Sequence, residues 1–180
     1  MATKNYEGRK FNEKGVDKIV DSLTEEQALQ IKINDTAFTI SMRTPGEDVN
    51  LIRGLLHSEG IINDRKFIPD FSFEKQEKMQ AQTIVNVVIP QQKLGLAYSN
   101  SRSLLSVSSC GICGKTSLED IEGSDNKIED KNKIDINLIH QLFKQMQTQQ
   151  HDFQQSGGTH AAASFCLNGN MLCSMEDIGR

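Results

Sequence analysis

Tryptophan is absent, tyrosine occurs twice and proline three times in the 180 residues. This is a polar chain with a modest core, and its ordinary glycine and proline content excludes a collagen or low-complexity chain. No run approaches the roughly 18 apolar residues of a membrane helix. The opening stretch MATKNYEGRKFNEKG has no apolar segment of the kind a signal peptide carries. The expectation is therefore a cytoplasmic protein with no membrane partner. Basic residues are not in excess either: 20 Lys+Arg stand against 24 Asp+Glu, dispersed along the chain. Phosphate binding needs clustered cations, so no nucleic-acid partner is expected.

What is present is a set of short apolar segments, enough for one domain of about 150 residues or two small ones. Residues 1–26 are polar, with Tyr6, Phe11 and Val16 scattered, and read as a loose arm. Residues 27–108 read as a small α+β sheet domain. In it Leu29, Ile31 and Ile33 alternate before Asn34-Asp35 and Phe38 and Ile40 follow, a hairpin pattern. Thr44, Pro45 and Glu47 have the spacing of a capping box at the start of a helix. Val49, Ile52, Leu55 and Leu56 recur at helical intervals, and Gly60 suits the helix end. Phe67–Phe73 and Thr83–Ile89 add two strands. Residues 109–180 form the second part. Asp135 can cap a helix whose stripe is Ile136, Ile139, Leu142, Phe143 and Met146, ending at Gly157-Gly158. Alternating runs on either side of Asn168-Gly169-Asn170 form a second hairpin.

Chemistry is concentrated in SSCGICGK, Ser108 to Lys115. Two cysteines separated by two residues can attack one another or share an electrophile, and Gly111 and Gly114 leave them unshielded. Backbone N–H groups and Lys115 nearby would favour thiolate, whose pKa in such settings falls from about 8.5 to roughly 3.5–7.5. A thiolate is the nucleophile that takes a sulfur atom from a donor persulfide. In a reducing compartment the four cysteines, Cys110, Cys113, Cys166 and Cys173, point to thiol chemistry or metal rather than disulfides. The alternative is a zinc-stabilised binding module in which Cys110 and Cys113 join Cys166 and Cys173 or His160, although that second pair lies outside common zinc spacings. As an ordinary alternative, Cys166 and Cys173 read as small buried hydrophobes. His57, His140 and His151 read as solvated.

Three segments taken together, RTPGEDVNLIRGLLHSEGII from Arg43, SSCGICGK from Ser108 and GGTHAAASFCLNGNMLCSMEDIGR from Gly157, resemble the FdhD family in order and spacing. The family comprises formate dehydrogenase accessory proteins, sulfur carriers or sulfurtransferases, and the resemblance covers roughly residues 27–180. It implies an α+β domain followed by a cytidine-deaminase-like α/β/α domain. It also implies a function. Sulfur is accepted from a cysteine desulfurase as a persulfide on Cys110, with Cys113 as helper. It is then passed to the molybdenum cofactor, bis-molybdopterin guanine dinucleotide, before insertion into formate dehydrogenase, whose activity requires it. No permanently bound cofactor and no metal ligand are implied, and the family tends to form homodimers. By the same resemblance Arg43, His160, Asp177 and Arg180 fall on the cofactor side. Two departures stand out: Met175 replaces the family's arginine, and family members continue past the Gly-Arg where this chain stops, so a C-terminally truncated member is expected. Capping alone also explains Thr44 and Glu47, and a structural role competes for Arg43 and Asp48.

Overall fold

A computed structural model describes residues 2–76, 82–100 and 129–179. The chain divides into two compact units, Gln27–Ser124, and Met1–Glu26 together with Asp125–Arg180. The expected division between residues 108 and 109 lies outside the described residues.

The first unit is a four-stranded sheet with a helix on one face. Strands β3 (Gln27–Ile33) and β4 (Thr36–Arg43) form the expected hairpin, and Asn34 and Asp35 both take positive φ, 48° and 66°. Two consecutive left-handed residues make the tight turn whose twist matches that of the strands. Strands β5 (Asp70–Gln76) and β6 (Gln82–Val88) pair antiparallel, and β6 lies parallel to β3, giving the order β4-β3-β6-β5. Asn34 extends that central pairing with its side chain. Its Oδ1 accepts from the Ile89 amide at 2.9 Å and its Nδ2 donates to the Ile89 carbonyl at 2.8 Å.

Between β4 and β5 runs α1 (Asp48–Ser58), which buries Ile52 and Leu56 on Leu29, Ile31, Ile33, Val85 and Val87. Each such aliphatic side chain contributes about 1.5–3 kcal/mol when fully buried. Val49, expected in the stripe, is 39% exposed instead. The expected capping box does not form. Gly46, at φ 142°, turns the chain so that the helix starts only at Asp48, and Glu47, which precedes it, bonds forward to Asn50 Nδ2. The helix end matches expectation: Gly60, at φ 65°, donates to the His57 carbonyl while Ile61 N–H reaches that of Leu56. This double bond satisfies carbonyls that the helix leaves unpaired. The Gly60 turn is closed by Gly95, where any Cβ would collide with the Gly60 carbonyl. A short helix, α2 (Leu96–Asn100), follows.

The second unit corrects the loose-arm expectation for residues 1–26. Strands β1 (Thr3–Asn12) and β2 (Gly15–Thr24) form a long antiparallel hairpin in unbroken register. Its base is tied to α4 (His151–Ser156), with Thr24 and Ser156 hydroxyls 2.6 Å apart and Thr3 Oγ1 donating to Gln155 Oε1 at 2.6 Å. Helix α3 (Ile136–Gln149) opens as expected, the Asp135 carboxylate accepting from the Asn137 amide at 2.6 Å. It stops at Gln150, where α4 begins, and Gly157 ends α4 in the left-handed region. The stripe expected to be core packing is only half-buried at Ile139, Leu142 and Met146, while Ile136 and Phe143 are exposed. Leu138 and Leu142 instead lie against the Gly169 turn of the last hairpin, β7 (His160–Phe165) and β8 (Met171–Asp177). That turn is where Asn168-Gly169-Asn170 placed it.

Candidate functional site

Of the six residues that the sequence nominates, Cys110, Cys113 and Arg180 lie outside the described residues. The other three fall in the two units.

Arg43, the last residue of β4, is 2% exposed. Its Nε donates to Asp48 Oδ1 at 2.7 Å and its Nη2 to Asp48 Oδ2 at 3.2 Å, a two-pronged ion pair with the first residue of α1. Nη2 also donates to Thr83 Oγ1 at 3.3 Å, and Nη1 donates to the carbonyl and side-chain oxygens of Gln27, each at 3.4 Å. One planar fork thus gathers the ends of β3, β4 and β6 and the start of α1, and such fixed geometry is the reason arginine rather than lysine suits the position. The structural alternative for Arg43 and Asp48 accounts for every one of these bonds. Gln27 and Thr83, which complete the clamp, had no signal in the sequence, since they are 16 and 40 residues from Arg43.

His160 and Asp177 are brought together. They are direct partners in the β7–β8 register, followed by Ala162 with Met175 and Ser164 with Cys173. Alternate residues of a strand share a face, so these six side chains lie on one side of the hairpin. His160, Ala162, Ser164, Cys173 and Met175 are exposed there. Directly opposed residues have Cβ atoms about 4.5–5.5 Å apart, close enough for an imidazole and a carboxylate to act as a unit. Asp177 also accepts from the Gly179 amide at 2.6 Å, which fixes its carboxylate.

Glu176, the neighbour of Asp177, points to the other face and has a different task. Its carboxylate accepts from the amides of Asp152 (3.0 Å) and Phe153 (2.9 Å) and from Thr159 Oγ1 (2.8 Å). It therefore caps α4 and fixes the chain entering β7. The adjacent acids of the Glu-Asp pair, alike in sequence, are separated by the alternation of the strand into one structural and one outward-facing carboxylate.

Cys166 and Cys173 are free and exposed, contrary to the buried-hydrophobe expectation. Both are near the turn end of the hairpin, and the Cys173 thiol meets the Ser164 hydroxyl at 3.2 Å. Among the described residues no group of three or more His, Cys, Asp or Glu is placed to hold a metal. No described helix is long and apolar enough to cross a membrane.

Comparison with known proteins places this geometry in context. The FdhD/NarQ family model matches residues 24–180. A protein of Corynebacterium efficiens named Sulfur carrier protein FdhD is 31% identical over 168 residues, covering 89% of this chain and 60% of its own. One of the same name from Picrophilus torridus is 35% identical, covering 90% and 60%. The chain thus spans 60% of the length of these curated relatives. In fold it is similar to the crystal structure of a formate dehydrogenase accessory protein from Desulfotalea psychrophila. The TM-score is 0.60 at 14% identity, covering 100% of this chain and 64% of that one. The mixed α/β arrangement of sheets and few helices is therefore one that a solved structure shares.

Proposed function

The chain belongs to the FdhD/NarQ family, and from that premise we propose that it carries sulfur for the maturation of formate dehydrogenase, with Cys110 as the carrying group. The observation that bears most weight is the family match over residues 24–180, which includes the whole SSCGICGK motif. The relatives' name, sulfur carrier, supports the same reading.

The chemistry needs little from the protein beyond an accessible thiolate. Cys110 S⁻ attacks the outer sulfur of a cysteine desulfurase persulfide, a new S–S bond forms, and the desulfurase cysteine leaves as thiolate. The sulfur is then held as Cys110–S–SH or its anion, with Cys113 able to relay or resolve it. The acceptor, bis-molybdopterin guanine dinucleotide, is substrate rather than resident cofactor. The His160–Asp177 pair supports an acceptor-side role. It sets a hydrogen-bonding imidazole and a carboxylate on an exposed face, at positions that the family resemblance assigns to the acceptor side. Arg180 belongs to the same proposal, whereas for Arg43 we favour the clamp role that its bonds support. We read residues 109–180 as the opening part of a cytidine-deaminase-like domain, working in the cytoplasm with a desulfurase and formate dehydrogenase as partners.

Intact-mass spectrometry tests the reading. After incubation with a desulfurase and cysteine, the chain is expected to gain the mass of one sulfur, removable by dithiothreitol, and Cys110→Ala to gain none. An unmodified wild type, or an adduct unchanged in Cys110→Ala, overturns it. Stoichiometric zinc bound through Cys110 and Cys113 would favour the binding module instead.

A further inference from the structure

The β7–β8 hairpin departs from regular alternation at one place, and the departure moves a cysteine. At the turn end the Cys166 amide donates to the Asn170 carbonyl at 2.8 Å, and Phe165 then pairs with Met171. Continued evenly, that register would set Leu172 opposite Ser164 and Cys173 opposite Ala163, on the half-buried face that holds Met171. It is interrupted instead: Ser164 pairs with Cys173, and Leu172 is an extra residue between the two pairs. Leu172 and Cys173 are accordingly both exposed, although they are consecutive. A bulge of this kind re-aims side chains. Here it carries Cys173 onto the exposed face where Ser164 and Cys166 lie, since alternate residues of an extended strand share a face.

The two free thiols are then diagonal neighbours, Cys166 lying two residues beyond the partner of Cys173. Cα atoms so related are about 7–8 Å apart, beyond the roughly 7 Å that a disulfide spans without backbone movement. A metal ion reaches further. With metal–thiolate bonds of about 2.3 Å, an ion in line between two sulfurs holds them roughly 4.6 Å apart, against about 2.05 Å for an S–S bond.

We propose that Cys166 and Cys173 bind one copper(I) ion between their sulfurs. Two thiolates in line satisfy copper(I), a soft ion that thiolate ligands select, whereas structural zinc takes four ligands. Both thiols give up their protons to solvent on binding, and neither sulfur nor metal changes oxidation state. The Ser164 hydroxyl, 3.2 Å from the Cys173 sulfur, is placed to donate to it once it is a thiolate. Such supporting hydrogen bonds orient and tune metal ligands. The inference stands apart from the sulfur reading, which rests on Cys110.

The test uses the full chain, carrying Cys110→Ser and Cys113→Ser so that the motif thiols cannot contribute. Copper(I) is added without oxygen, in competition with the chromogenic chelator bathocuproine disulfonate. One equivalent is expected to stay with the protein, and Cys166→Ser or Cys173→Ser to abolish retention. Ser164→Ala, which removes only the supporting hydroxyl, is expected to weaken binding about tenfold. All three side chains are exposed, so circular dichroism of the variants stays unchanged. No retained copper, retention that survives both cysteine variants, or one ion shared by two chains in native mass spectra overturns the proposal. So does zinc that displaces the copper at equal concentration.

Discussion

His160 and Asp177 face each other across the β7–β8 ladder, 17 residues apart in the chain and adjacent in the sheet. Residues in such contact couple energetically by about 0.5–3 kcal/mol. His160→Ala and Asp177→Asn are each expected to impair transfer of sulfur to the cofactor, and the double variant to lose clearly less than the product of the two. Loading of Cys110 should remain at the wild-type level in all three. Multiplicative losses in single-turnover transfer assays would show that the two side chains act separately.

Arg43 makes the opposite prediction. Breaking a buried ion pair by removing one partner costs about 3–5 kcal/mol, so Arg43→Ala is expected to lower the urea midpoint sharply. Arg43→Lys keeps the charge but not the two-pronged geometry, and should recover only part of the loss. Under conditions where the variants remain folded, sulfur loading should be normal.

Glu176→Gln separates the neighbouring acids. The amide keeps the shape but has one acceptor oxygen for three donors, and leaving such donors unmade costs about 1–3 kcal/mol. Lowered stability with normal sulfur transfer is expected, the reverse of Asp177→Asn.

At Asp64 the expected effect depends on pH. Its carboxylate accepts from Lys93 Nζ at 2.7 Å and from the Lys66 amide at 3.0 Å, and these bonds, the lysine first, hold its pKa below the ordinary 3.8. A depressed carboxylate stabilises the fold above its unfolded pKa, and that stabilisation fades as pH falls through the folded value. The Tm deficit of Asp64→Asn should hold from neutrality down to 3.8 and shrink below it. The pair is exposed, so the deficit should also shrink in salt.

Much of the fold was legible because local chemistry and tertiary packing agreed. Asn34-Asp35 could be read as a turn because both residues tolerate positive φ, and Gly60 and Asp135 as helix boundaries because each satisfies orphaned backbone groups. The β1–β2 hairpin was not legible, since its faces are not sorted into buried and exposed. Phe11, Val16 and Val20 alternate with charges that nothing among the described residues covers, so hydrophobic periodicity had no core to report. The capping box failed because Gly46 redirected the chain after Thr44, a backbone choice that side-chain spacing does not encode.

The site was partly legible for a similar reason. His160 and Asp177 stood out by motif, but their opposition follows from the register that the Gly169 turn and the bulge between Ser164 and Phe165 set together. Arg43 looked equally suited to an anion or to Asp48. The convergence of Gln27 and Thr83, distant in sequence, supports the clamp.

The unit that holds the first hairpin is discontinuous, and this bears on how the protein is made. The hairpin leaves the ribosome before the α4 residues that secure its base, Asp152 to Ser156, which follow some 150 residues after Ala2. At about 5–20 residues per second, that is a delay on the order of ten seconds. The intervening unit, continuous in sequence, can complete its own sheet meanwhile. Nascent ribbons held on crowded polysomes would be the species most prone to clump, and a chaperone acting on this chain would find work there until α4 emerges.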